Sequence, residues 1–355
     1  MANIKVLSLT ESEEWLRLLK LIPTEFSDVY YAPNYYSLYE EYGDGKALCF
    51  VYEDNDNLIL YPFLKNEINS LGYNLDDTYY DIQGAYGYNG FISSTTDKCF
   101  VSQFLDEFHK YCLDNKIVAE FTRFHPLIKN YQFVDKNVIF DRNTVYIDLQ
   151  KSEDEIFSSM QSDTRREIRN ATRRHGLSCK QYKSVTKELK DKLFLIYQDA
   201  MDRLEADKYL RFNVKYFDTL FDDQDAVTLV CYDDTMEPVG FYVSIYSKDY
   251  FNMHLGGSKT DAMKKSPNNF MYFEIAKMAK SLGCKYMLFG GGTTSDPEDS
   301  LLRYKKHISP LLADFYIGKK VHIEDVYNNV VEQWKSRYPE HYQNNKVKLL
   351  GYRDI

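Results

Sequence analysis

Three segments of the 355-residue chain bring together side chains that can bind anions, approach a ligand or handle protons. In residues 162–176 (SDTRREIRNATRRHG), Arg165, Arg169 and Arg173 recur every four positions and would share one face of a helix. Their guanidinium forks suit phosphate or carboxylate, and the same spacing equally suits a solvated basic face. Residues 84–90 read GAYGYNG. Glycine at every third position lets a loop pass close to a ligand, with Tyr86 and Tyr88 offering hydroxyls and ring faces. A decorated turn between strands is the alternative. The third segment is Gly290-Gly291-Gly292, followed by Tyr304-Lys305-Lys306. A glycine run at a strand end leaves backbone amides and carbonyls reachable, and substrates often sit at such ends, although a plain flexible connection reads the same way. Asp81, Glu120 and His125 are candidate general bases, each equally readable as a structural hydrogen-bonding residue.

Elements of the right periodicity surround these segments. Alternating apolar residues predict strands at 47–52 and 58–63 around the turn Asp54-Asn55-Asp56-Asn57. Helical spacing then predicts a helix over 100–113, and a strand follows at 117–121. The same order recurs with strands at 226–232, 239–246 and 250–255, a helix from Pro267 to Lys280 closed by Gly283, and a strand at 286–289. A duplicated α/β unit follows from this order of elements, not from residue identity. Between the two, a strand at 145–149 leads into helices near 154–160 and 164–175. Thr164 with Glu167 fits a capping box for the second of these, and Gly176 fits its stop. Further helices are predicted at 183–204 and 323–338, and the boundary between units falls near residue 150.

Composition narrows the class. The chain is 44% hydrophobic and 27% charged, as globular chains are. Its net charge of −9 is uneven: residues 1–150 hold 12 Lys+Arg against 23 Asp+Glu, and the remainder holds 32 against 30. Residues 164–187 carry eight basic side chains and one acid, a candidate anion site. Six cysteines lie far apart without metal-ligand spacing and read as reduced thiols, with no structural zinc. The start lacks a leader pattern, and no stretch approaches the roughly 20 apolar residues that span a bilayer, so a cytoplasmic location is expected. Walker, strand-anchored G-x-G-x-x-G, H-E-x-x-H and G-x-S-x-G patterns are missing, which removes support for the NTPase, dinucleotide, zincin and hydrolase-elbow chemistries.

Taken in order, the GAYGYNG loop, Glu120-Phe121-Thr122-Arg123-Phe124-His125-Pro126, the R-x-x-I-R-x-A run from Arg165 to Ala171 with Gly176, and Phe289-Gly290-Gly291-Gly292 followed by Tyr304-Lys305 resemble the Fem-type aminoacyltransferases and their relatives. The family usually has proline where Ala85 stands and phenylalanine where Tyr304 stands. The helical arm of some members is not expected, because no extended heptad segment occurs. The resemblance implies an α/β (α+β) fold of two tandem GNAT-like acyltransferase units, each with a mixed, mainly antiparallel sheet flanked by helices. Residues 1–150 would form the acceptor side, and residues 151–355 the acyl-donor side with a C-terminal helix. It implies a cytoplasmic enzyme that moves an activated acyl group onto an amine, often of a cell-wall precursor. No cofactor would be tightly bound, and acyl-CoA or aminoacyl-tRNA would serve as co-substrate. Tyr304 in place of phenylalanine tilts the expectation toward acyl-CoA, since in GNAT enzymes a tyrosine after the late strand often protonates the leaving thiolate. Lys305 would stabilise negative charge and His125 would take part in catalysis. Tyr86, Tyr88, Arg123, Arg165, Arg169, Asn268 and Gly291 would bind substrate. Expected partners are a small-molecule or cell-wall-precursor substrate, or charged tRNA. DNA and integral membrane contact are not expected, and a peripheral approach to a lipid-linked precursor is open. A non-catalytic ligand-binding module is the alternative of another class.

Overall fold

The computed structural model describes residues 2–134, 136–206 and 211–355. In chain order the elements are β1 (Asn3–Ser8), α1 (Ser12–Leu19), α2 (Pro33–Tyr42), β2 (Lys46–Asp54), β3 (Asn57–Glu67), β4 (Tyr80–Gln83), β5 (Ile92–Ser93), α3 (Lys98–Asp114), β6 (Ile117–Arg123) and β7 (Val138–Asp148). There follow α4 (Glu153–Ser159), α5 (Ser162–Arg173), β8 (Ser178–Tyr182), α6 (Lys187–Arg203), α7 (Val214–Phe221), β9 (Ala226–Tyr232), β10 (Pro238–Tyr246) and β11 (Tyr250–Ser258). The last are α8 (Pro267–Ser281), β12 (Tyr286–Gly291), α9 (Ser300–Ile308), β13 (Leu312–Val321), α10 (Glu324–Arg337) and α11 (Pro339–Asn345).

The chain divides into two compact units, Met1–Asp141 with Phe315–Ile355, and Arg142–Asp314. In the first, strands run in the order β1-β2-β3-β4-β6-β13, with β5 on β3. Pairing is antiparallel except between β4 and β6, where Tyr80–Gln83 lies parallel to the start of β6. The parallel pair needs a crossover, which α3 supplies. Its apolar face buries Phe100, Val101, Phe104, Phe108 and Cys112 against Phe50, Tyr61 and Phe63 of the β2–β3 hairpin. The tail belongs here because it completes a second core: Trp334 of α10 and Tyr352 pack with Ile68, Tyr73 and Val118, and Ile317–Val321 of β13 pairs antiparallel with β6.

The second unit repeats the plan. Strands run β7-β12-β11-β10-β9-β8, and again one pair is parallel, β11 with β12, joined by α8. Pro267 opens α8 at its first position, and Phe270, Met271, Ile275, Ala276 and Ala279 of the helix enter the core. The duplicated order expected from the sequence is present.

Three expectations are corrected. Residues 315–355 return to the first unit, so the division at 150 is replaced by a discontinuous one, because β13 pairs with β6 and the tail buries Trp334 and Tyr352 there. No capping box forms at Thr164: α5 begins earlier, at Ser162, and Thr164 is a buried residue inside it. The helix expected from 183 starts at Lys187, capped by the Thr186 hydroxyl, and residues 183–186 link it to the edge strand β8, which ends at Tyr182.

Candidate functional site

The site forms at the C-terminal end of β12 in the second unit. Gly290 sits at φ +75°, a left-handed conformation that glycine takes without Cβ strain, and the chain turns there toward α9. Asp299 caps that helix. Its Oδ1 accepts the Leu301 and Leu302 amides at 2.9 and 3.0 Å. Its Oδ2 accepts the Thr293 hydroxyl at 2.7 Å, and the Thr294 amide and hydroxyl each at 3.0 Å. These bonds, the Thr293 hydroxyl foremost, hold the Asp299 carboxyl well below the usual range. The Gly292 carbonyl is fixed by Arg142 Nη1 at 2.8 Å.

With the loop and the helix N-terminus tied together, Lys305 points back under the glycines and its Nζ donates to the Gly291 carbonyl at 2.8 Å. Lys305 is 8% exposed. Burial lowers its pKa to about 8, with the Asp299 charge opposing that fall. An amine so poised is cationic at neutral pH and close to its titration.

Tyr304, the preceding residue, donates its hydroxyl to Asn269 Oδ1 at 2.6 Å. Asn269 Nδ2 in turn donates to Glu167 Oε2 at 2.5 Å. The three residues come from α9, α8 and α5. Tyr304 packs edge-to-face on Tyr272 at 6.1 Å, which lies 5.6 Å from Tyr242 and 5.4 Å from Phe289 of β12. Burial drives the Tyr304 phenol well above its ordinary pKa, reinforced by Tyr242 and Glu167.

Beside this constellation the sheet opens. The parallel strands β11 and β12 pair only at Tyr250–Tyr286, Phe251–Met287 and Asn252–Leu288. Past that point β11 stays with β10 as far as Ser258, while β12 continues to Gly291. The strands therefore part where the register of β10 against β11 shifts, between Val243 and Ser244, with His254 the bulged residue opposite. His254 Nε2 lies 2.7 Å from the Tyr216 hydroxyl, and burial lowers the imidazole pKa to about 3. A gap between parallel strands exposes main-chain donors and acceptors to an extended ligand, which could lie along β11 as an added strand would.

The other residues singled out in the sequence make the following contacts. Arg165 donates to the Ser158 carbonyl at 3.0 Å and to the Met160 carbonyl, so it closes the end of α4. Arg169 lies over the Phe157 ring at 5.0 Å. Arg165 is thus engaged in local structure, whereas Arg169 is exposed, as are Arg166, Arg173, Arg174, Lys180, Lys183 and Lys187 of this stretch. Asn268, in the first turn of α8, accepts from the buried Ser258 hydroxyl at 2.7 Å.

In the first unit, Arg123 spends its guanidinium on the GAYGYNG loop, donating to the carbonyls of Gly84, Ala85 and Gly87 at 3.0–3.1 Å. Gly87 takes φ +92° there. Tyr88 is 9% exposed between Tyr30, His125 and Phe315. Tyr35 donates to the Tyr86 carbonyl at 2.6 Å, and burial raises the Tyr86 phenol pKa. His125 is fully buried. Its Nδ1 accepts the Leu127 and Ile128 amides at 3.2 and 3.0 Å, which leaves the ring hydrogen on Nε2, 3.2 Å from the Asp28 carboxylate. Arg123 and His125 hold this loop region together. Asp81 is likewise structural, bonded by Tyr352 at 2.7 Å and by Arg353. Sequence reasoning missed Glu167, Asn269 and His254. The two available signals were the Asn268-Asn269 pair opening α8 and the Gly256-Gly257 pair after His254.

Comparison with known proteins agrees with this geometry. Residues 158–306, which contain the site, match the acetyltransferase (GNAT) domain family. No curated protein matches the chain in sequence. Among solved structures, FemX shares 14% identity over 92% of this chain and 99% of its own, with a TM-score of 0.68. A conserved protein of unknown function from Bacteroides thetaiotaomicron shares 9% identity over 90% of this chain and 99% of its own, with a TM-score of 0.54. L-PGS from Bacillus licheniformis shares 14% identity over 81% of this chain and 90% of its own, with a TM-score of 0.52. The fold is that of tandem GNAT-like units, with the acetyltransferase domain match lying in the second. At the level of fold it is the Fem type, as in FemX.

Proposed function

We propose that the second unit transfers an acyl group from an acyl-CoA thioester to an amino group of a cell-envelope or polysaccharide precursor in the cytoplasm. The observation that carries this reading is the parting of β11 and β12 with the Lys305 ammonium at its open end. A thioester laid along β11 would bring its carbonyl toward that end. The amine nitrogen attacks the carbonyl carbon, a C–N bond forms and the C–S bond breaks. Sulfur leaves with the electron pair, and the protons shed by the amine pass to that sulfur and to solvent. A cation beside the reacting carbonyl stabilises the oxyanion and the departing thiolate. Lys305 has the charge for this and is held by Gly291, itself expected to bind substrate. The acceptor class rests on the Fem-type resemblance. Asn268, at the first turn of α8, would take part in holding the donor's pyrophosphate, since helix N-termini favour anions.

A second reading, aminoacyl-tRNA as donor, is favoured by the exposed Arg166, Arg173, Arg174 and Lys180, a surface suited to a phosphate backbone. Among the described residues no helix is long and apolar enough to cross a membrane, which is compatible with a lipid-linked acceptor met from the surface. Titration calorimetry with acetyl-CoA, CoA, charged tRNA and uncharged tRNA separates the donors. Saturable binding of acetyl-CoA upholds the first reading, and binding of charged tRNA alone replaces it with the second. Silence from all four leaves a ligand-binding module without transfer chemistry.

A further inference from the structure

The hydrogen bonds around Asn269 fix a direction that bears on what Tyr304 can do. A carboxylate accepts hydrogen bonds, so the side-chain atom of Asn269 at 2.5 Å from Glu167 Oε2 is the amide nitrogen. The amide oxygen then necessarily faces Tyr304, and at 2.6 Å the phenol must donate to it. Which atom of an asparagine is nitrogen is ordinarily an assignment. Here a carboxylate on one side settles it chemically.

The consequence lies at the other side of the phenol. Its only hydrogen is directed at Asn269, so toward the substrate Tyr304 presents lone pairs. Asn269 is 7% exposed, so this bond is shielded from competition by water. Burial, the neighbouring Tyr242 and the Glu167 charge all disfavour loss of the proton. A phenol so held does not readily hand its proton to a leaving thiolate, because that first requires breaking a short bond to a well-oriented acceptor.

We infer that Glu167 and Asn269 are positioning residues that set the Tyr304 hydroxyl as a hydrogen-bond acceptor, and that Tyr304 orients the N–H of the incoming amine instead of protonating the leaving group. The ligand class is a primary amine, in its ammonium or neutral form, since both donate. Glu167 supports it with negative charge one residue behind the phenol, whereas an anionic group at the same place would meet lone pairs and a carboxylate. This assignment rests on the acyl-transfer reading and deepens it. It replaces the thiolate-protonating role that the tyrosine suggested in the sequence.

Two measurements test it, and the first needs no substrate. Proton NMR of protein carrying labelled tyrosine and asparagine side chains should show a slowly exchanging Tyr304 hydroxyl proton correlated with Asn269. Asn269→Leu removes the acceptor and should abolish the slow exchange. Asn269→Asp combined with Glu167→Gln should keep it, because the glutamine amide donates to one aspartate oxygen while the other accepts from Tyr304. A hydroxyl that exchanges equally fast in all three proteins overturns the assigned direction. The second measurement is steady-state turnover of Tyr304→Phe with acetyl-CoA and glucosamine as the probe amine. Loss of the acceptor should raise KM for the amine by roughly ten- to a hundredfold with kcat little changed, the factor a hydrogen bond to a charged group supplies. A fall in kcat at unchanged KM overturns the orienting role and returns Tyr304 to proton donation. Failure of the wild-type protein to turn over either acetyl-CoA or charged tRNA with any amine removes the acyl-transfer reading and the amine role with it. The NMR result then still stands or falls by itself.

Discussion

Lys305 and Gly291 are joined by one hydrogen bond of 2.8 Å, and through it the ammonium of α9 is placed at the end of β12 with almost no solvent contact. The position is costly for the fold. An unfolded lysine titrates at 10.5 and the folded one at about 8, so the folded state binds fewer protons throughout that interval. Stability therefore rises as pH increases from about 8 toward 10.5, and below 8 the full penalty of holding the cation is present.

Lys305→Met should separate stability from activity. At pH 7 the burial penalty is about 3 kcal/mol, and the lost bond to Gly291 returns about 1, so the variant should be more stable by about 2 kcal/mol. Its urea unfolding should also lose the gain in stability between pH 8 and 10.5. Acyl transfer should fall by roughly a hundred- to a thousandfold, the usual consequence of removing one charge-stabilising donor. Wild-type activity should decline as pH rises through about 8. A destabilised variant with activity intact would make Lys305 a structural residue.

A second pH effect belongs to the first unit. His109 and His322 face each other through their Nδ1 atoms at 2.8 Å, and His322 Nε2 reaches Glu120 Oε2 at 3.0 Å. One ring hydrogen serves the contact, and two would break it. Burial, Lys320 and His322 lower the pKa of His109 from 6.5, so the folded state resists its protonation. Stability should drop as pH falls through 6.5, where the unfolded histidine gains its proton, and the loss should continue until the lower folded value is passed. Thermal melts at pH 7.5 and 5.5 measure it. His109→Gln should flatten the difference between them.

The tail contributes a third. Asp81 is fully buried, and burial raises its pKa despite the Arg353 guanidinium at 2.8 Å and the Tyr352 hydroxyl at 2.7 Å. Arg353→Met leaves that carboxylate without a cation and should cost about 3–5 kcal/mol in urea unfolding at pH 7. Asp81→Asn in the same chain should recover much of the loss, because the charge that needed the partner is gone. Equal costs in the single and double variants would show that Arg353 acts through packing alone.

What could be read from the sequence follows from the range of the interactions. The β9–β10–β11 run and helices α3 and α8 were legible because alternation and helical spacing record burial locally. β13 was not, since its exposures do not alternate and its partner β6 lies about two hundred residues earlier. The Glu167 carboxylate shows the same limit. It stands three residues after Thr164, as a capping box requires, yet its partner is Asn269 in another helix. Tyr304, Lys305 and Gly291 were legible as types at a glycine-rich strand end, while the bonds that give each its direction were not. Arg165 reads as an anion ligand and Arg123 as a substrate contact because guanidinium chemistry is visible in a sequence and its backbone acceptors are not.

The contacts of Arg165 supply a last prediction, which separates two arginine populations on one helix. Arg165 donates to the carbonyls of Ser158 and Met160, groups that α4 leaves without partners at its end. Arg173 and Arg174 are exposed near the C-terminus of α5. Arg165→Ala should lower stability by about 1–2 kcal/mol through the stranded carbonyls and leave anion affinity unchanged. Arg173→Glu with Arg174→Glu should leave the melting temperature within a degree or so, as surface changes usually do. If charged tRNA is the donor, the same double change should weaken its binding at least tenfold and flatten the salt dependence, because two phosphate contacts are lost. Affinity for acetyl-CoA should not move. Calorimetry of both variants against both donors decides the matter: weakened tRNA binding in the glutamate variant assigns the exposed pair to the nucleic acid, and unchanged binding returns it to a solvated surface.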